Sequence, residues 1–440
     1  MPAPSLADRL TAPLRRFLAI EAASTILLLA ATALAVLWAN SPWAESYAGF
    51  WHTKLSLVVG SHTLALSLGH WVNDGLMVLF FFLVGLEIKH ELVHGELASR
   101  ERAMLPLSGA LGGMLVPAAI YASLHTGGPA AAGWGVPMAT DIAFAVAALA
   151  VLGRRVPSGL KVFLLALAIV DDLGAVTVIA VFYSHDLSTT ALALAGLGLV
   201  ATFGLRQAGV RSYPVYWAMG AGIWLATLAS GIHATVAGVA LGLLTPSRPL
   251  GVPDGWIDRV RRFTGEVLEG LDEGRLDVER KRVLGGLGAL EREGLAPLEY
   301  LTTRLHPWVA FGIMPIFALA NAGVVLESAA LADPFALRVS TAVALGLLVG
   351  KPLGITLFAW IAVRLGLAVL PGGTGWGAIL GAGALGGIGF TMALFITALA
   401  FTDPALAAAS KVGVMVASVA ATAAGLAVLT RALPRAGAAP

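Results

Sequence analysis

The chain contains no cysteine in its 440 residues. That excludes disulfides and thiolate metal sites and leaves the redox compartment undecided. Charge is the second scarcity. Asp, Glu, Lys and Arg make up 12% of the residues, against roughly 25% in a soluble domain, while 58% are hydrophobic. Nor is there an excess of one sign, since 28 basic residues face 26 acidic ones for a formal charge of +2. What the chain has instead is apolar runs of membrane-spanning length, each needing about 20 residues to cross roughly 30 Å of hydrocarbon. They fall near 17–39, 72–88, 103–123, 138–152, 161–183, 188–205, 213–229, 232–245, 307–327, 339–363, 378–400 and 409–430. The composition therefore predicts an all-α polytopic membrane protein of about twelve spans.

In a membrane protein the placement of Lys and Arg says more than their sum. One set of alternate loops, with both termini, holds Arg9, Arg15, Arg16, Lys89, Arg100, Arg102, Arg154, Arg155, Lys161, Arg206, Arg211, ten residues between Arg248 and Arg304, and Arg364, Arg431 and Arg435. The opposite side has only Lys54, Arg338 and Lys411, and Lys351 is left inside a span. This asymmetry predicts cytoplasmic termini and an even number of crossings. The first apolar run is too long for a signal peptide and lacks a cleavage site, so it counts as a span.

Two polar segments interrupt this pattern. "KLSLVVGSHTLALSL" at 54–68 alternates Leu55, Leu57 and Val59 with polar or small residues, turns at Gly60 and Ser61, and resumes with Leu64, Leu66 and Leu68. That is β-hairpin patterning, on the side where an exposed ribbon invites pairing with a second copy. Residues 246–306 carry eleven acidic and ten basic residues and read as a cytoplasmic linker, with amphipathic helix around "DVERKRVLGGLGALEREG". The remaining divisions are a tail over 1–16, spans one to eight over 17–245, spans nine to twelve over 307–430, and a tail over 431–440.

The chemistry concentrates where charge is most expensive. "LALAIVDDLGAV" sets Asp171 beside Asp172 in an apolar run, although one Asp at the centre of a membrane helix costs about 2.5 to 3.5 kcal/mol on insertion scales. Asp171 lies ten residues beyond Lys161, or roughly 15 Å, near the bilayer midplane. Lys351 is midway between Arg338 and Arg364, and Asp141 is central between His125 and Arg154. One Lys cannot neutralise three aspartates, so at least one carboxylate must be protonated or bind a cation. Successive helical residues point about 100° apart, so one acid of the pair can meet Lys351 while the other faces a cavity.

Two spans are interrupted. "GWGVPMATDIAF" gathers Pro137, Thr140 and Asp141, and "GAGALGGIGFTMALF" gathers Gly386, Gly387 and Gly389. They are the middle members of two helix triplets, spans three to five and ten to twelve, which enter from opposite sides. Inverted repeats whose broken helices cross at the substrate are a secondary-transporter design, in which freed carbonyls and helix ends meet the cargo.

Taken in order, "FFFLVGLEIKHEL", "MATDIAFA", "LALAIVDDLGAV", "SGIHATVAG", "LHPWVAFGIMPIFALANAG", "GKPLGI" and "GGIGFTM" resemble the NhaA-type sodium/proton antiporters over essentially the whole chain. That family is itself an established example of the broken-helix design. The resemblance implies twelve helices, a bacterial inner membrane location, a homodimer joined through the hairpin, and electrogenic exchange of cytoplasmic Na⁺ or Li⁺ for external protons, in the service of pH and sodium homeostasis. It requires no cofactor and no nucleic acid; the partners are the ions, membrane lipid and a second copy. Carried over by position, Asp172 is the principal cation ligand and proton carrier, Asp171 the second essential carboxylate, and Lys351 its ion-pair partner. Thr140, Asp141, Gly387 and Gly389 mark the crossing. Asp74 matches an acid near the funnel, His233 a histidine linked to the pH response, and Glu87, Lys89 and Glu91 a pH-sensing cluster. His90 stands where that cluster usually has Arg, and Thr302 and Thr303 replace an acid and a histidine, which leaves the activation pH open.

The competing readings are weaker. A sodium-coupled solute symporter would need a cavity with groups for an organic substrate. Enzymes of the membrane, such as aspartyl proteases and prenyltransferases, need GxGD-type or spaced acidic motifs that the chain does not carry. A passive channel has no evident need of Lys351.

Overall fold

Without water to satisfy it, backbone in hydrocarbon must close its hydrogen bonds within helices, and almost everything described here is helical. The computed structural model describes residues 6–59, 62–184, 186–210, 212–248, 296–325 and 333–434, with the side chains of 6–22, 59, 62 and 154 left out of that description. Helix falls within each of the twelve apolar segments. Five helices are long and apolar enough to cross a membrane alone: Arg100–Leu124, Ser158–Phe182, Thr189–Gln207, Pro334–Arg364 and Pro404–Ala432. Three further pairs qualify together but are bent, by 113° between Ala23–Ala39 and Ala44–His52, by 43° between Pro129–Met138 and Ile142–Val151, and by 46° between Trp376–Gly386 and Phe390–Ala400.

Several expected boundaries shift. The first helix begins at Leu6 rather than 17. The eighth segment is helical only over Thr235–Leu244, about 15 Å of rise and half the hydrocarbon thickness. The ninth starts at Pro297, so that 297–306 is helical, and it is continued through a π-helical turn at Val309–Ile313 into Met314–Asn321. The amphipathic helix expected around 277–294 lies outside the described residues, as do residues 1–5 and 435–440 of the terminal tails.

The hairpin takes the expected register. Lys54–Val59 pairs antiparallel with His62–Ser67, so that Leu55 faces Leu66 and Leu57 faces Leu64. The turn at Gly60 and Ser61 lies outside the described residues. Leu55 and Leu57 are about half exposed, which leaves one face of the ribbon apolar and uncovered. Leu194, Leu197 and Val200 on Thr189–Gln207 are similarly exposed, as a lipid-facing stripe should be.

The interior is assembled by close backbone contact. Arg100–Leu124 and Lys351–Arg364 approach so tightly that a Cβ on Gly112 would strike the Gly354 carbonyl, and one on Gly354 the carbonyl of Gly112. Small residues at such crossings let helices pack where hydrophobic burial offers little drive. This contact sets Lys351 opposite the helix that carries the two aspartates.

Candidate cation site at the crossing of two broken helices

Asp171 and Asp172 sit near the middle of Ser158–Phe182, each about 1% exposed. Their side chains diverge as the helical twist requires. Lys351, fully buried, donates from Nζ to Asp171 Oδ2 at 2.7 Å and to Thr140 Oγ1 at 2.9 Å. It follows directly on a π-helical turn at Gly346–Gly350, the kind of interruption that recurs at functional positions in helices. Asp172 turns instead into a cavity of about 400 Å³. Among the described residues, Asp172 Oδ1 and Asp171 Oδ1 are buried without a hydrogen-bond partner. One carboxylate is thus held by an ammonium and its neighbour faces the cavity, and each keeps one oxygen unpartnered.

Beside the pair the two broken segments cross. The breaks fall at Ala139–Asp141 and Gly387–Gly389, and their backbones bond directly, Asp141 N donating to the Ile388 carbonyl at 2.6 Å. Thr140 Oγ1 donates to the carbonyl of Gly386, at the end of Trp376–Gly386, at 2.8 Å. The Asp141 carboxylate serves two helix starts. Its Oδ1 accepts from Phe144 N at 3.2 Å, and its Oδ2 accepts from Thr391 N at 3.0 Å and from the Thr391 hydroxyl. An anion is favoured at a helix N-terminus by the unpaired N–H groups and the dipole, and here one acid offsets the positive ends of Ile142–Val151 and Phe390–Ala400. Lys351, through Thr140, lies against the opposite, carbonyl-rich end.

Gly387 and Gly389 are there for space. A Cβ on Gly387 would run into the Leu347 carbonyl, and one on Gly389 would lie 3.1 Å from the Ala139 carbonyl. Gly387→Ala is therefore expected to lower the thermal melting point of the purified protein by several degrees. Gly222→Ala, where a Cβ meets nothing within 4 Å, should raise stability by up to about 1 kcal/mol through helix propensity. Equal melting of the two variants would contradict the close fit of the crossing.

The cavity leads from Asp172, Asp141 and Thr391 to Glu87, His90 and Glu91 on Met77–Val93. Facing them from Pro297–Trp308 are Glu299, Thr302, Thr303 and His306, spaced to share one helical face. Not every expected residue joins. Lys89 is absent from the lining, because two helical residues, about 200°, separate it from both Glu87 and Glu91 and turn it to the other side of the helix. Asp74 and His233 are outside it too. They gather elsewhere, Asp74 within electrostatic reach of His233 and His70, with a His233 ring nitrogen 2.9 Å from the Tyr183 carbonyl. Three participants were not singled out from sequence. Thr391 follows the Gly-rich break inside a motif already noted. Glu299 and His306 sit at helical spacing from Thr302 and Thr303, a signal hidden by placing the linker boundary at 306.

A buried ammonium–carboxylate pair beside two interrupted helices, with a second acid opening on a cavity, is the site architecture of a secondary transporter. The family follows from direct comparison. Residues 15–429 match the model for Na⁺/H⁺ antiporter 1, and the chain belongs to that family. It is 52% identical over 406 residues to the Na⁺/H⁺ antiporter NhaA 2 of Myxococcus xanthus, covering 92% of this chain and 86% of the relative. It is 50% identical over 418 residues to the NhaA 2 of Sorangium cellulosum, covering 95% and 89%. It is 49% identical over 430 residues to the NhaA of Rhodopirellula baltica, covering 97% and 96%.

Proposed function

We propose that this chain exports Na⁺ or Li⁺ in electrogenic exchange for protons, with Asp172 as the group for which the two cargoes compete. The observation that carries the reading is the unequal treatment of the adjacent acids: Lys351 holds Asp171 through Oδ2, whereas Asp172 is the one of the two that borders the cavity, and each keeps a buried Oδ1 without a partner among the described residues. Sodium arriving through the cavity meets Asp172, with Asp171 one residue away as the second ligand. Its binding displaces a proton and loosens the Lys351 contact; reprotonation from the other face releases it. Twelve crossings in inverted repeats, cytoplasmic termini in a bacterial inner membrane and a homodimer joined through the apolar face of the hairpin complete the proposal. Glu87, Glu91 and Glu299 would then mark the cytoplasmic mouth, with His90 and His306 as titratable groups beside them.

Calorimetry of purified protein tests the core of this reading. Sodium binding should release protons, seen as a heat that scales with the ionisation enthalpy of the buffer. Sodium bound without proton release at any pH would refute competition at a shared carboxylate, and uptake that required an added organic solute would mark a symporter.

A further inference from the structure

We propose that Tyr183 is a positioning residue for cation binding: its hydroxyl fixes the length of the helical half that leads into the first break, and so sets where Thr140 meets Lys351. The proposal rests on the site assigned above to Asp172 and Asp171. Pro129–Met138 is 3₁₀-helical over ten residues, although such runs rarely exceed three or four because their hydrogen bonds are poorly aligned. A stretch of that length needs support from outside itself.

Two buried tyrosines supply it. Tyr121, on Arg100–Leu124, donates to the Ala130 carbonyl at 2.8 Å. Tyr183 ends the helix that carries Asp171 and Asp172, and its hydroxyl donates to the Ala132 carbonyl at 2.7 Å and accepts from Gly135 N at 3.2 Å. Ala132 and Gly135 are the carbonyl and the amide that one 3₁₀ turn brings together, so the phenol bridges a turn of the segment. Gly135 is what admits it, since a Cβ there would lie 2.6 Å from the Tyr183 hydroxyl. The tyrosine is itself held in place. Its ring stacks on Trp134, with centroids 6.4 Å apart and planes 20° from parallel, and its backbone carbonyl takes the His233 ring nitrogen.

The length of this segment matters because the break follows it directly. A 3₁₀-helix rises about 2.0 Å per residue, against 1.5 Å in an α-helix. Two residues relaxing to α geometry would therefore draw Thr140 back by about 1 Å. Pro137 blocks that change in the last turn, where its ring would strike the carbonyl four residues earlier. The turn bridged by Tyr183 is then where the length is set. Thr140 accepts from Lys351 Nζ at 2.9 Å, and Lys351 reaches Asp171 at 2.7 Å. With Thr140 pulled away, the ammonium would lean wholly on Asp171, the carboxylate that a bound cation must share. Sodium would compete less well for it, while Asp172 would keep its exchangeable proton.

Tyr183→Phe keeps the ring and removes only the hydroxyl. In calorimetry of the purified full chain its sodium dissociation constant should rise at least tenfold, with the protons released per sodium bound unchanged from wild type. Tyr47→Phe is the matched control, because the Tyr47 hydroxyl likewise donates to carbonyls, those of Leu319 and Ala320, and accepts from Gly323 N, away from the crossing. Both variants should melt a few degrees below wild type, but Tyr47→Phe should bind sodium within twofold of it. Where Tyr183→Phe does not fold, Gly135→Ala, which pushes the hydroxyl aside and leaves the tyrosine in the chain, should show the same weakening. Sodium affinity unaltered in the folded variant, or weakened as much in Tyr47→Phe, overturns the proposal. Wild-type protein that bound no sodium would refute the antiport reading, and the role given to Tyr183 would fall with it.

Discussion

Asp172→Asn is expected to abolish sodium-driven dissipation of a proton gradient in everted vesicles, where wild-type protein should collapse it. The substitution keeps the shape of the side chain and removes both its charge and its exchangeable proton. Attraction between unit charges 4 Å apart is on the order of 4 kcal/mol at an effective dielectric of about 20, roughly a thousandfold in affinity. An amide also has no proton to give up, so even residual sodium binding would no longer be linked to proton movement. Asp171→Asn should impair exchange strongly as well, though by another route, since it leaves Lys351 an uncompensated cation against the residue next to Asp172. A pH-sensitive dye reports both, with expression and melting measured in parallel. Exchange by Asp172→Asn at the wild-type rate would remove Asp172 from the role assigned to it.

Lys351→Ala carries the second large effect, on stability. Its ammonium and Asp171 are both within about 1% of complete burial and 2.7 Å apart. Removing one partner of such a pair costs about 3 to 5 kcal/mol because the other charge is left in a low-dielectric interior. Thr140 would lose its ammonium donor at the same time. The variant should melt many degrees below wild type in detergent. Combining Lys351→Ala with Asp171→Asn should restore much of the loss, since a pair removed together leaves no stranded charge. A single variant melting like wild type would mean that the pair is not what holds these helices at the crossing.

The parts of this arrangement that could be read from sequence are those fixed by cost. Charges at mid-span are so unfavourable that Asp141, Asp171, Asp172 and Lys351 had to converge, and the helical twist alone separated Asp171 from Asp172. Hairpin register followed from alternation at Leu55, Leu57, Leu64 and Leu66. What was not legible depends on tertiary fit. The helix over Pro297–Trp308 has half its face polar because it borders the cavity, and that polarity reads as a solvated linker until the opposing Glu87, His90 and Glu91 are in place. The short Thr235–Leu244 helix and the π-helical turns leave no periodic mark, since hydropathy is blind to where a helix stops inside an apolar run. Lys89, judged by its neighbours in the chain, turned out to share a motif with Glu87 and Glu91 without sharing their face.

The charges around the crossing do not all need cargo. Asp171 is balanced by Lys351 and Asp141 by two helix starts, while Asp172 Oδ1 is buried without a donor among the described residues and its carboxylate borders the cavity. An unloaded site would leave a bare carboxylate in a low-dielectric interior, at a penalty of several kcal/mol, whereas a bound proton or sodium ion would render that group neutral. If Asp172 carries the exchange as proposed, tightness of coupling, the suppression of futile return trips, would be an electrostatic property of one side chain.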